Sequence, residues 1–146
     1  MKHGYRNLAI ALSINTVVMF LLTYALIARF DHFIPNINRF YMALMMAAPM
    51  GIVMLVVMGS MYRSTRLNLG LIAGFAAVFL LSFGLARTQT FVGNEQFLRS
   101  MIPHHSSAIL MCEQSSISDP EIIELCGEIV QTQEEEIARM KAILDR

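Results

Sequence analysis

The chain has 146 residues, 55% of them hydrophobic, with a mean hydropathy of +0.54 and a formal net charge of zero. That balance excludes a basic nucleic-acid-binding surface, and apolar residues gathered in unbroken blocks exclude a soluble domain of alternating faces. Zero net charge hides a division. Residues 1–88 carry seven Lys/Arg and one Asp, a net of +6, whereas residues 89–146 carry four Lys/Arg and ten Asp/Glu, a net of −6. Two regions in two solvents account for this better than one mixed domain.

Three uncharged stretches come first: 22 residues between Arg6 and Arg29, 23 between Arg39 and Arg63, and 20 between Arg66 and Arg87. A helix needs ~20 apolar residues to cross the ~30 Å hydrocarbon layer, and lipid forces the backbone to satisfy itself. The expected spans are about 8–29, 41–62 and 69–87, in a membrane domain covering 1–88. Lys2 and Arg6 before the first block resemble a signal-peptide start. The apolar core outruns the ~7–15 residues of such a peptide, and Thr23-Tyr24-Ala25 is a poor cleavage signal, so the block reads as a retained anchor. Lys2 and Arg6 fall on one side with Arg63 and Arg66; Arg29, Arg39 and Arg87 fall on the other. The Lys/Arg bias favours a cytoplasmic N-terminus and an external C-terminal segment.

In the first connection, Pro35 and Asn36 mark a loop, and His32 beside Asp31 reads as a solvated residue; His3 is terminal. In the second span Met42, Met46, Met50, Met54 and Met58 recur at i+4, joined by Met45 and Met61. Such a stripe is ordinary flexible filling or a ladder of thioethers able to pass Cu(I). With Gly70-x-x-x-Gly74 on the next helix it is similar to three-span copper transporters, although the appended tail and the connection lengths depart from them. Gly70, Gly74 and Ala77 predict a close helix–helix contact.

Beyond a hinge at Thr88–Asn94, with Asn94 as cap, helices are predicted over about 95–115 and from Asp119-Pro120-Glu121 to about 144. Residues 89–146 thus form an acidic antiparallel hairpin. Two helices bury little alone, so it is expected to oligomerise into a four-helix bundle or to dock on a partner. On the first helix Met101, His104, His105, Ala108, Met111 and Cys112 share about a third of the circumference. On the second, Gln133, Glu136 and Met140 share a face. Imidazole with thioether is a donor set suited to copper in either oxidation state, and less to zinc. Met101, Met111 and Met140 alone would be ordinary core; adjacent imidazoles after a proline are poor core filling. Pro103 cannot donate its N–H and frees the carbonyl of Arg99, so a kink or restart is expected.

Phe97…Met101-Ile-Pro-His-His105…Ala108-Ile109…Met111, followed by Ile129-Val130…Gln133…Glu136-Ile137…Met140, resembles domain-of-unknown-function family 305 over roughly 94–145. The resemblance implies an extracytoplasmic, ferritin-like helical hairpin, with copper-binding members of the CopM type; with the Lys/Arg bias it implies a bacterial inner-membrane protein whose N-terminus is cytoplasmic and whose hairpin is periplasmic. It carries ligand roles to Met101, His104, His105, Met111 and Met140, and also to Glu136 and Gln133. Two features depart from the pattern. Ser106-Ser107 stand where Gln-Gly is usual, and Cys112 and Cys126 occupy positions usually small and apolar. Those cysteines read as a disulfide, as Cu(I) ligands or as inert thiols.

No enzyme signature is present: neither Glu-x-x-His nor His-Glu-x-x-His, nor a nucleophile elbow or phosphate loop. The expected fold is therefore an all-α membrane protein of three transmembrane helices and a hairpin. The expected function is copper sequestration, delivery or resistance; the rival readings are a metal-free assembly subunit and Cu(I) permeation along the ladder. Expected partners are the lipid bilayer, further copies of the chain and a metal-handling protein.

Overall fold

The computed structural model describes residues 2–146, with side-chain surroundings from Gly4 onward; Met1 and the side chains of Lys2 and His3 lie outside the description. Among the described residues there are five α-helices and no strand: α1 Lys2–Leu22, α2 Ile37–Val57, α3 Thr65–Arg87, α4 Asn94–Gln114 and α5 Pro120–Leu144. The chain divides into two compact units. One holds residues 1–23 and 38–90; the other holds 24–37 and 91–146.

The first unit contains the three helices that are long and apolar enough to cross a bilayer. Only 6% of the apolar stretches of α1 and α3 is buried within the protein, against 33% for α2. Apolar surface left this bare suits lipid as its solvent. The core is Leu8, Leu55 and Tyr62, with Tyr5, Leu12, Met54, Leu71, Ile72 and Phe75 packed against it.

A polar knot ties the start of α1 to the α2–α3 turn. Tyr5 Oη donates to Asn68 Oδ1 (2.8 Å) and accepts from Ser64 N, while Asn68 Nδ2 donates to Tyr62 O (2.8 Å). Arg6 therefore shares an end of this unit with Arg63 and Arg66, as the charge pattern predicts. Ser64 caps α3 by accepting from Leu67 N. At the other end of α3, Gln89 N bonds Ala86 O and Thr90 N bonds Leu85 O, the crossed pair of a Schellman cap. Gln89 takes the left-handed position usually given to glycine (φ 51°), and Phe91 is left-handed too (φ 61°). The hinge is thus built on these two residues, with Gly93 in an ordinary extended conformation.

Close helix packing lies elsewhere than predicted. A Cβ at Gly70 or Gly74 would meet nothing within 4 Å, whereas at Gly51 it would fall 2.7–2.9 Å from the Phe75 ring. The small-residue stripe is Ala43, Ala47, Ala48 and Gly51 on α2, all buried. Met42, Met46 and Met50 lie one position off that stripe and are exposed, as is Met58; Met54 packs on the core. Most of the methionine ladder therefore faces out of the unit.

Two span boundaries also move. The first helix stops at Leu22, well short of residue 29, and the second begins at Ile37 and ends at Val57, before a single 3-10 turn at Gly59–Met61. Runs without charge mark what lipid tolerates, not where a chain turns. Residues 24–28 are apolar enough to extend the span, but Tyr24 is buried in the second unit, where its hydroxyl donates to Ile34 O (2.9 Å).

Candidate metal site and its surroundings

The second unit is the α4–α5 hairpin with the connection 24–37 folded onto it. Asp119 starts α5 as anticipated, its carboxylate accepting from Glu121 N (2.9 Å) and Ile122 N (3.3 Å) ahead of Pro120. Helix α4 begins at Asn94 after Gly93, so Asn94 is not its cap. Three levels set an antiparallel register: Cys112 with Cys126, His105 with Glu136, and the Met101–Met140 level of the core. Cys112 sits in the last turn of α4 and Cys126 in the second turn of α5. They come level because the connection between the helices is extended at both ends (Ser115 ψ 138°, Asp119 ψ 123°), which starts α5 beyond the end of α4.

Ile102, Ile109, Ile137 and Met140 form the core, with Ala28, Ile34, Leu98, Met101, Val130 and Leu144 against it. The buried line on α4 is therefore Ile102–Pro103–Ser106–Ile109, rotated from the predicted 101/104/105/108/111/112 face. The reason is the third layer. Residues 24–37 cover one flank of α4, burying Ser106 completely and leaving His104 and Met111 outside.

Ser106 is the hub of that layer. Its Oγ accepts from Ala28 N (2.8 Å) and lies 2.8 Å from His32 Nδ1. The hydroxyl has a hydrogen and a second lone pair left for His32 Nδ1, so it donates to or accepts from that nitrogen according to the imidazole tautomer, and Nε2 lies 3.7 Å from Asp31 Oδ2. His32 is only 4% exposed, which corrects its reading as a solvated loop residue. Burial lowers its pKa first; Asp31 pulls it up, Lys141 and Arg29 push it down, and Glu134 pulls it up again. Asn36 shares its side-chain hydrogens among Tyr24 Oη, Ile34 O and Arg99 O, at 3.1–3.3 Å. Arg99 O is the carbonyl that Pro103 leaves without its helical donor. Helix α4 runs on through the proline, and the connection supplies the missing partner. Arg29–Glu134 (2.7 Å) and Lys141–Asp31 pairs complete the attachment, and the Lys141 hydrogen bond holds the Asp31 carboxyl below its usual range.

Of the anticipated ligands, His105, Glu136, Gln133 and His104 come together. His105 Nδ1 lies 3.0 Å from Glu136 Oε2 but is not aligned as a hydrogen bond, so this buried ring nitrogen has no hydrogen-bonded partner. Gln133 Nε2 reaches the same carboxylate oxygen at 3.5 Å. The His104 and His105 rings are 6.0 Å apart, His104 exposed. Burial lowers the His105 pKa, Glu136 opposes that shift, and His104 adds to it. Met101 is half-buried against the core one turn before His105, whereas Met140 is core itself, 8% exposed. Met111 stands apart at 61% exposed. Cys112 and Cys126 are joined in a disulfide, so neither offers a thiolate in this state. Among the described residues no group of three or more His, Cys, Asp and Glu side chains is gathered as a metal cage.

Ser106, Asn36, Tyr24 and His32 are the residues that sequence reasoning missed. Their signal was present: a tyrosine and a charged Arg29-Phe-Asp-His32 cluster at the end of an apolar block, and a serine where glutamine is usual.

Fold and site define a class: an all-α protein with three bilayer-length helices and a disulfide-closed helical hairpin bearing paired histidines. A family model described as a domain of unknown function, DUF305, matches residues 84–144. The uncharacterized protein L153 of Acanthamoeba polyphaga mimivirus is 35% identical over 112 residues, 75% of this chain and 72% of that protein. The chain belongs to the DUF305 family. The alignment with L153 is longer than the family segment, so the likeness extends into the apolar helices that precede it. No solved structure matches the chain.

Proposed function

We propose that this is a membrane-anchored copper-binding protein, not an enzyme, whose hairpin takes up copper for sequestration, delivery or resistance. The observation that carries the reading is the buried His105 Nδ1, which has no hydrogen-bonded partner and sits beside Glu136. Unprotonated, that ring nitrogen offers a lone pair to a Lewis acid, and a metal ion beside the Glu136 carboxylate is one. His104 adds a second imidazole and Met101 a thioether, a mixture that suits copper better than the harder cations. The net −6 of residues 89–146 raises the local cation concentration.

The hairpin side is extracytoplasmic in this proposal, in a bacterial inner membrane with the Arg6–Arg63 end inside. The Lys/Arg bias supports that topology, and a disulfide persists outside the cytoplasm. Exposed Phe97, Ile122, Ile123 and Leu125 support self-association of hairpins towards a four-helix arrangement.

The test is copper titration of the full chain in micelles, with thermal stability followed alongside. Binding is expected to raise the melting temperature by mass action and to be lost in His104→Ala/His105→Ala while helicity persists. Unchanged affinity in that variant would sink the copper reading. A melting temperature indifferent to metal would leave the hairpin as a metal-free assembly module, the reading that its exposed apolar side chains favour.

A further inference from the structure

We infer that Cys112 and Cys126 form a second soft-metal site, closed as the disulfide and opened by reduction, whose ligand is Cu(I) held by two thiolates. The pair lies at the turn end of the hairpin with a Cα–Cα distance of 5.3 Å. It lines an open groove of about 480 Å³ with Glu113, Ile123, Gly127 and Glu134 among its walls. A Cβ at Gly127 would meet nothing within 4 Å, so the α5 side of the sulfurs is unobstructed.

Two features make the pair a gate and not merely a staple. The hairpin core of Ile102, Ile109, Ile137 and Met140 lies on the other side of it from the turn, and the 24–37 layer braces the same portion. Beyond it, Ile122, Ile123 and Leu125 are about half exposed, so the turn end has no core of its own. Reduction therefore frees the two sulfurs while the hairpin stays folded.

The surroundings select metal binding over thiol chemistry. Glu113 and Glu134 line the groove and, among the described residues, no Lys or Arg does; the Arg29 guanidinium reaches Glu134 from outside it (2.7 Å), so the net negative charge there comes from Glu113. Nucleophilic thiols need nearby positive charge to lower their pKa, and a groove whose one outside cation is held by a carboxylate offers none in excess. A thiophilic cation displaces the thiol protons itself and needs no such charge. The steps balance. A dithiol reductant gives up two electrons and two protons, becoming a disulfide, as the Cys112–Cys126 bond becomes two thiols. One Cu(I) then replaces two protons to give a bis-thiolate complex, with no change in copper oxidation state. His104 and His105 take no part, so this site stands or falls separately from the one proposed above.

The experiment is anaerobic Cu(I) titration of the full chain in micelles against a chromophoric chelator, for protein oxidised and protein reduced with a dithiol that is then removed. The reduced protein is expected to bind one more Cu(I) per chain. His104→Ala/His105→Ala should keep that increment, and Cys112→Ser/Cys126→Ser should lack it. Equal stoichiometry in the two redox states, an increment that survives the double Cys variant, or loss of hairpin helicity on reduction would each overturn the inference.

Discussion

Ser106→Ala removes one oxygen from a completely buried position and leaves the carbon skeleton in place. What it deletes is specific: the acceptor for Ala28 N–H and the partner of His32 Nδ1, both at 2.8 Å. Each buried group left without a partner costs about 1–3 kcal/mol. Discounting for the water that can reach Ala28 and for relaxation of the connection, about 2–4 kcal/mol is expected. That is roughly 30- to 700-fold in an opening equilibrium. The loss should be local, because the hairpin core does not depend on this hydroxyl. Hydrogen exchange on the full chain in micelles reads it directly: protection should fall across residues 28–36 and hold along α1–α3. Ser107→Ala is the control, since that hydroxyl only bonds back to Pro103 O within its own helix (2.9 Å). Equal protection in Ser106→Ala and Ser107→Ala would refute the idea that Ser106 anchors the connection.

Gly51→Ala should destabilise the three-helix unit by about 1–3 kcal/mol through overlap with Phe75, whereas Gly70→Ala should be neutral or slightly stabilising; thermal melts in one detergent compare them, and the reverse order would contradict the packing. His32 and His105 are both pushed below the ordinary imidazole value of 6.5 by burial, so the unfolded chain binds more protons as pH falls under that value. Stability of the second unit should be level above pH 6.5 and decline below it. Melting temperatures at pH 7.5 and 5.5 should differ, less so in His32→Gln, and a flat profile would remove the coupling.

The sequence by itself determined the elements whose causes are local. Long uncharged runs can only be helices where no water competes for the backbone, so three such helices were legible. The Asp119-Pro120 start of α5 and the end of α5 were legible because capping needs only neighbours along the chain. The charge division separated the apolar part from the acidic hairpin, and the Met-Ile-Pro-His-His run marked where one imidazole, that of His105, would meet Glu136. What the tertiary structure alone decided are pairings between residues far apart in sequence. Tyr24–Ile37 leaves the apolar unit to cover α4, because Ser106 and the carbonyl freed by Pro103 offer hydrogen bonds that Ala28, His32 and Asn36 complete. Periodicity shows that a face is apolar but not which neighbour covers it. The buried line of α4 therefore shifted to Ile102, Ser106 and Ile109, the close helix contact moved from Gly70 to Gly51, and most of the methionine stripe turned outward. The joining of Cys112 to Cys126 followed from an extended connection that no residue count along two ideal helices contains.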